Sequence, residues 1–184
     1  MRIISGKYRG LHVATLKGDA LRPTSDQLRE TLFNVLGPEV EGRTFLDAYA
    51  GTGAVGIEAL SRGASEVVFI EHHRPAAELI RKNLDALKIE EGFYVMTTKV
   101  VKGLQKLADE GSHFDFVFLD PPYEEIREYH RILRQLARSE LLLSTSMVIV
   151  EHSRHCNLEE QYGSLRRARL LPRGDSQLGF YRTS

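Results

Sequence analysis

Asp120-Pro121-Pro122-Tyr123 sets a carboxylate, two carbonyls on residues with no N–H of their own, and a flat ring side by side. The prolines fix φ and keep the segment extended, so its acceptors point one way. Such a set can grip a planar base by an exocyclic amino group. A simple Pro-Pro turn at a strand end fits the same four residues, and the tetrapeptide alone does not choose between them.

A second constellation lies upstream, in Asp47-Ala48-Tyr49-Ala50-Gly51-Thr52-Gly53-Ala54-Val55-Gly56. Gly51 and Gly53 let backbone approach a ligand, and Gly56 permits close helix–strand packing. Glu71 follows Gly51 by twenty residues and ends an apolar run, where a carboxylate can accept both hydroxyls of a ribose. The glycine spacing by itself also fits a dinucleotide-binding domain. Together with Glu71 and Asp-Pro-Pro-Tyr it points to a cofactor and an amine-bearing ring.

The elements that must position these residues alternate along the chain. Strands are expected near 44–50, 66–71, 92–98, 114–120 and 146–151, with helices near 54–62, 74–88, 99–109 and 124–138. That alternation predicts an α/β fold with a doubly wound, mostly parallel sheet. Ser164 to Leu171 and Gln177 to Arg182 flank Pro172-Arg173-Gly174-Asp175, which fits a closing antiparallel hairpin. Ahead of the alternation, Arg2-Ile3-Ile4 and Leu11-His12-Val13 predict a β-hairpin with a basic, aromatic tip. A helix follows, with Thr24 and Gln27 at capping-box spacing, Leu28, Leu32, Val35 and Leu36 on one face, and a stop at Gly37-Pro38. Ligands of such sheets sit beyond the carboxyl ends of the strands, so Gly51, Glu71 and Asp120 are expected to share one cleft.

Bulk properties narrow the class. A chain of 184 residues suits one domain, here an extension (1–40) ahead of a catalytic core (41–184). No apolar run reaches membrane-spanning length, and the lone Cys156 cannot form an internal disulfide, so a cytoplasmic protein without membrane contact is expected. The formal charge is zero but uneven: residues 1–29 carry six Lys/Arg against two acids, 154–184 six against three, and 30–153 thirteen against twenty. Basic ends can form a nucleic-acid footprint, or can be ordinary solvated charge.

Arg2-Ile3-Ile4-Ser5-Gly6-Lys7-Tyr8-Arg9-Gly10, Leu21-Arg22-Pro23-Thr24-Ser25-Asp26 and Arg29-Glu30-Thr31-Leu32-Phe33-Asn34 resemble one family's N-terminal signature. Glu58-Ala59-Leu60-Ser61-Arg62-Gly63-Ala64 extends it. The family is the bacterial 16S ribosomal RNA guanine-N2 methyltransferases of the RsmD type, within the class I S-adenosylmethionine-dependent methyltransferases. The resemblance implies a Rossmann-like sheet of seven strands and S-adenosyl-L-methionine as cofactor. It also implies 16S rRNA as partner, alone or in an assembling small subunit, and a monomer suffices. Asp47, Gly51, Gly53 and Glu71 would hold the cofactor, with Asp47 near its amino group; Asp47 as a turn-capping residue is the alternative. Asp120, Pro121, Pro122 and Tyr123 would be catalytic. Asp120 and the Pro121 carbonyl would accept the two N–H bonds of the guanine amine, and Tyr123 would stack on the base. Lys7, Tyr8, Arg9, Arg22 and Arg29 would contact RNA. No metal is needed. The chain departs from many class I relatives at Thr98-Lys99, which leaves the adenine partner unassigned.

Other readings stay open at this level. An adenine N6 or glutamine-amide methyltransferase would use the same Asp-Pro-Pro-Tyr. A dinucleotide-dependent oxidoreductase would leave that motif without a role, and a non-catalytic RNA-binding module would leave it intact without purpose. His155-Cys156 lacks an oriented third group for nucleophilic catalysis, and the adjacent His72-His73 are poorly placed to converge on one ion.

Overall fold

Strand β1 (Thr44–Ala48) is buried at its last four positions, as a strand covered on both faces must be. It opens the strand–helix alternation in the computed structural model, which describes residues 1–15, 26–122 and 126–184. Those residues group into two units, Met1–Lys99 and Val100–Ser184.

In the first unit, α1 (Asp26–Leu36) ends in a 3₁₀ turn at Gly37–Val40, where Pro38 cannot continue the helix. After β1 come α2 (Ala54–Ser61), β2 (Glu66–Glu71), α3 (Arg74–Ala86) and β3 (Phe93–Thr97). The strands are parallel in the order β3-β2-β1, with Asp47 opposite Phe69 and Glu71 opposite Thr97. Gly56 on α2 lies so close to β2 that a Cβ there would stand 2.2 Å from the Phe69 ring. The expected packing role of that glycine is therefore met.

The second unit holds α4 (Val100–Asp109), β4 (Phe114–Leu119), α5 (Ile126–Leu136), β5 (Leu142–Ser153), β6 (Gln161–Tyr162), β7 (Leu165–Arg173) and β8 (Ser176–Thr183). Its strand order is β4-β5-β8-β7-β6; β4 and β5 are parallel and the other pairs antiparallel. Three details differ from expectation. Among the described residues the strands number eight rather than seven, because the two-residue β6 pairs with the start of β7. Strand β5 begins at Leu142, four residues early, across a register shift stabilised by the buried Ser146 hydroxyl. That hydroxyl accepts from Leu143 N–H and donates to the Phe114 carbonyl. The last turn is only Gly174-Asp175, since Pro172 and Arg173 complete β7.

The expected N-terminal hairpin is present but short: Arg2 bridges His12 in antiparallel sense, while the tip turns to α2. Ile3 N–H to the Leu11 carbonyl, Gly10 N–H to the Ile3 carbonyl and Val13 N–H to the Met1 carbonyl, each 2.9 Å, pair its arms. Ile4 and Ser5 donate their N–H groups to the two carboxylate oxygens of Glu58, at 2.8 and 3.0 Å. Ser61 accepts from Tyr8 N–H and donates to the Ser5 carbonyl, and its own carbonyl accepts from Lys7 N–H. Further on, Asn83 on α3 takes Ala14 N–H and returns a hydrogen bond to the Ala14 carbonyl. The two stretches Ile4–Tyr8 and Glu58–Arg62, distant in sequence, form one interlocked unit. Gly6, at φ 83°, faces Ser61 so closely that a Cβ would lie 1.7 Å from its carbonyl oxygen.

Gly6→Ala is therefore expected to lift the loop off α2 while leaving the sheet folded. Hydrogen exchange should show faster exchange at Ile4, Ser5, Lys7 and Tyr8 with unchanged protection in β1 and β2. Unchanged exchange at all four amides would contradict the interlock.

Candidate functional site

The loop between β1 and α2 is built from backbone rather than side chains. Gly51 and Gly53 adopt φ of 54° and 78°, which few residues tolerate. Tyr49 also sits at φ 67°, an uncommon conformation for a bulky residue and a strain signal beside the loop that sequence reading missed. At Gly53 a Cβ would stand 3.1 Å from Ile80 of α3, so a side chain there would need Ile80 to shift as well as tolerating the positive φ.

Two buried carboxylates hold the loop. Asp47 on β1 accepts Gly56 N–H at 2.8 Å, which caps the first turn of α2 from a neighbouring strand; Gly53 at the helix N-cap has no side chain to do so. Glu71, at the end of β2, accepts Gly51 N–H at 2.8 Å with one oxygen and His73 N–H at 2.6 Å with the other. The capping alternative for Asp47 is realised in the structure. Burial pushes the Asp47 carboxyl up to about 7, the Gly56 N–H opposes this, and the nearby Glu71 charge adds to the rise. A cation brought to this loop would stabilise the ionised form, so the donor set suits a positively charged ligand with hydroxyl groups and no phosphate.

In the second unit β4 delivers Asp120 and Pro121 at its carboxyl end, with Pro121 buried and Pro122 exposed. The Pro121 carbonyl already accepts a hydrogen bond at 2.9 Å from the hydroxyl of Tyr129, a residue of α5 that is 1% exposed. Behind it, the ring of His152 on β5 meets Tyr129 edge-on at 6.3 Å. Sequence reasoning missed Tyr129. The signal was there: it lies on the apolar face of α5 with Ile132, Leu133 and Leu136, where a phenol must find a partner. Tyr123 lies outside the described residues.

The RNA candidates separate. Lys7 and Arg9 are exposed, Tyr8 is half-buried, and the Lys7 ammonium lies 5.2 Å from the Tyr8 ring centre. Arg22 lies outside the described residues. Arg29 must be corrected: it is 0% exposed, donates to the Arg2 carbonyl and to Asp26, and has Glu58 3.7 Å away. A guanidinium so enclosed holds the N-terminal segment to α1 and cannot reach a phosphate. Arg167 is half-buried against the Leu158 carbonyl, whereas Arg166 and Arg169 are exposed. Cys156 is buried and burial pushes its thiol up, which suits an inert side chain. Among the described residues no group of His, Cys, Asp and Glu could hold a metal, and no helix is long and apolar enough to cross a membrane.

This strand–loop–helix arrangement is that of the class I methyltransferase fold. The Escherichia coli protein yhhF, provisionally named a methyltransferase, has a solved structure similar to this one at 32% identity. Its TM-score is 0.86, and the match covers 100% of this chain and 98% of that one. The chain belongs to the family described as Conserved hypothetical protein 95, whose model matches residues 1–182, the RsmD-type family that the sequence resembled. Bacillus subtilis YlbH, provisionally named an rRNA methyltransferase, is 33% identical over 90% of this chain and 89% of its own. The Haemophilus influenzae ribosomal RNA small subunit methyltransferase D is 41% identical over 67% of this chain, a stretch that is 64% of its own length.

The raised Asp47 carboxyl gives a signed pH dependence. The unfolded chain releases this proton near 3.8 and the folded chain near 7, so the group's contribution is fully present below the unfolded value. It is lost as pH rises towards 7 and constant above that. Asp47→Asn keeps an acceptor for Gly56 N–H without the charge. Its stability relative to the parent should climb between pH 4 and 7 and then level off, read from urea midpoints; a flat difference would refute the burial argument. Tyr129→Phe leaves the Pro121 carbonyl without its partner and should cost about 1 kcal/mol in the same measurement. An unchanged midpoint would show that the hydroxyl does not hold the carbonyl.

Proposed function

We propose that this protein transfers a methyl group from S-adenosyl-L-methionine to the exocyclic 2-amino group of a guanine in small-subunit ribosomal RNA. The observation that carries this reading is the glycine loop held by two buried carboxylates, in a chain where β4 closes on Asp120-Pro121-Pro122. Family membership over residues 1–182 and the named activities of the relatives support it. When bound, the cofactor supplies an electrophilic methyl group on a cationic sulfonium.

The chain's own residues have distinct tasks in this reading. Glu71 accepts the ribose hydroxyls, with its carboxylate already oriented by Gly51 and His73 N–H. Asp47 faces the ammonium end, and a positive charge there draws its carboxyl towards the ionised form. Asp120 and the Pro121 carbonyl accept the N–H bonds of the target amine. That nitrogen is a weak nucleophile because its lone pair is delocalised into the ring. Acceptors placed beneath its hydrogens favour a pyramidal nitrogen and stabilise the positive charge that builds on it, more in the transition state than in the ground state. Tyr123 stacks on the base, a contact worth about 1–3 kcal/mol in nucleic-acid complexes. Lys7, Tyr8 and Arg9 supply charge and a ring to the RNA. A single chain carries every one of these groups, so a monomer suffices.

Labelled S-adenosylmethionine incubated with the protein and small-subunit rRNA from cells lacking the modification should place the label on one guanine, mapped by mass spectrometry. Label on adenine, on protein or nowhere would reject the assignment. Asp120→Ala should abolish turnover while cofactor affinity stays within about tenfold. Glu71→Ala should weaken cofactor binding in calorimetry. Equal loss of both properties in the Asp120 variant would remove Asp120 from the amine.

A further inference from the structure

The second unit carries a groove of about 770 Å³ between α4 and α5 that none of the roles above uses. Along one wall stand Arg127, Arg131, Arg134 and Arg138, all exposed. Their spacing of four, three and four residues puts them on one face of α5 and the turn after it, opposite buried Tyr129, Ile132, Leu133 and Leu136. At about 1.5 Å rise per residue, the row from Arg127 to Arg134 runs roughly 10 Å. Steps of three and four residues thus offset successive arginines by about 4.5–6 Å along the axis, a row that can track an extended polyanion.

The charges are largely available. Arg134 is paired with Glu159 at 2.6 Å, and Arg131 meets Glu128 only at 3.8 Å on the surface. Arg127 and Arg138 have no ion pair among the described residues. The acids on the groove, Asp109 and Glu140, leave a net positive lining, and Asp109 is engaged by the Gln105 amide at 2.8 Å. Gln105, Gln135 and Ser139 add neutral hydrogen-bonding groups along the floor. Four arginines in a row offer planar, bidentate donors, which match phosphate oxygens better than ammonium groups do.

We propose that this groove is a track for the phosphate backbone of the substrate RNA, distinct from the N-terminal basic loop. The proposal rests on the RNA methyltransferase reading. RNA is favoured over an acidic protein because α5 starts six residues after Asp120, so a strand whose base is held by the tetrapeptide passes next to Arg127 and then along the row. Contacts to phosphate carry no base information. Their task is to fix the register of the strand and supply affinity that falls steeply with salt.

The test compares the full chain with two triple variants at Arg127, Arg131 and Arg138, changed either to Gln or to Lys, on transcribed small-subunit rRNA. With Gln, affinity at about 0.1 M salt should fall at least tenfold and the salt slope of binding by about 2–3, roughly one per phosphate contact. S-adenosylmethionine affinity, and kcat at saturating RNA, should stay within about twofold. With Lys, the slope should return to the parent value. Parent-like RNA affinity and slope in the Gln variant, from a parent that methylates the RNA, would overturn the track and leave the functional reading standing. A parent that neither binds nor methylates RNA would overturn both. Tighter binding of polyglutamate than of RNA at matched charge would give the groove to an acidic protein and overturn the proposal.

Discussion

Buried carboxylates that accept backbone N–H groups are the interaction on which the first unit depends. Asp47, Glu58 and Glu71 are 2%, 1% and 4% exposed, and they accept backbone N–H groups from the first turn of α2, the N-terminal segment and the glycine loop in turn. Burying an ionisable group costs free energy unless its oxygens are occupied, and an irregular loop costs free energy unless its amides are occupied. Each demand offsets the other. The glycine loop, the start of α2 and the N-terminal segment are fixed by the same chemistry used three times.

That arrangement also shapes electrostatics. Asp47 and Glu71 are close enough that the Glu71 charge helps raise the Asp47 carboxyl to about 7. The loop therefore has a standing preference for positive charge which the protein meets only in part, by leaving Asp47 about half protonated near neutrality. Glu58 behaves differently, since Arg62 at 2.9 Å and Arg29 at 3.7 Å compensate it from two sides. The acid with cationic neighbours is structural. The two with no Arg or Lys partner among the described residues border the loop proposed to hold a cationic cofactor.

Much of this was legible in the sequence because hydrophobic period and glycine spacing are local signals. The strands ending at Ala48, Glu71 and Leu119 fall within two residues of expectation, as does the close approach at Gly56. What local reading missed shares one physical origin. Arg29 reads as a surface cation and proves to be buried, because the Arg2 carbonyl and Glu58, each nearly thirty residues away, join the local Asp26 in enclosing it. The N-terminal hairpin forms, with Ile3, Gly10 and Val13 N–H groups paired across it, but its tip is held by α2, which takes the Ile4, Ser5 and Tyr8 amides. No window of neighbouring residues contains these distant partners. The Glu58–Ser61 stretch drew notice only as part of a resemblance, and the structure supplies the reason for it: it is the receptor for Ile4 to Tyr8.

Tyr129 refines what the tetrapeptide can do. A carbonyl oxygen has two lone pairs, and the phenol occupies one on Pro121. The hydrogen bond fixes the plane of that peptide in a buried setting, so the remaining lone pair has a set direction before any substrate arrives. An oxygen that already accepts one hydrogen bond is a weaker partner for a second. In the proposed reaction the two acceptors are then unequal. On that proposal an ionised Asp120 would carry most of the stabilisation of the developing positive nitrogen, because charge-assisted bonds are about twice as strong as neutral ones. Pro121 would serve chiefly to orient the amine. The second proline then has a separate reason to be present: with no N–H, Pro122 cannot itself donate to the Asp120 carboxylate two residues before it.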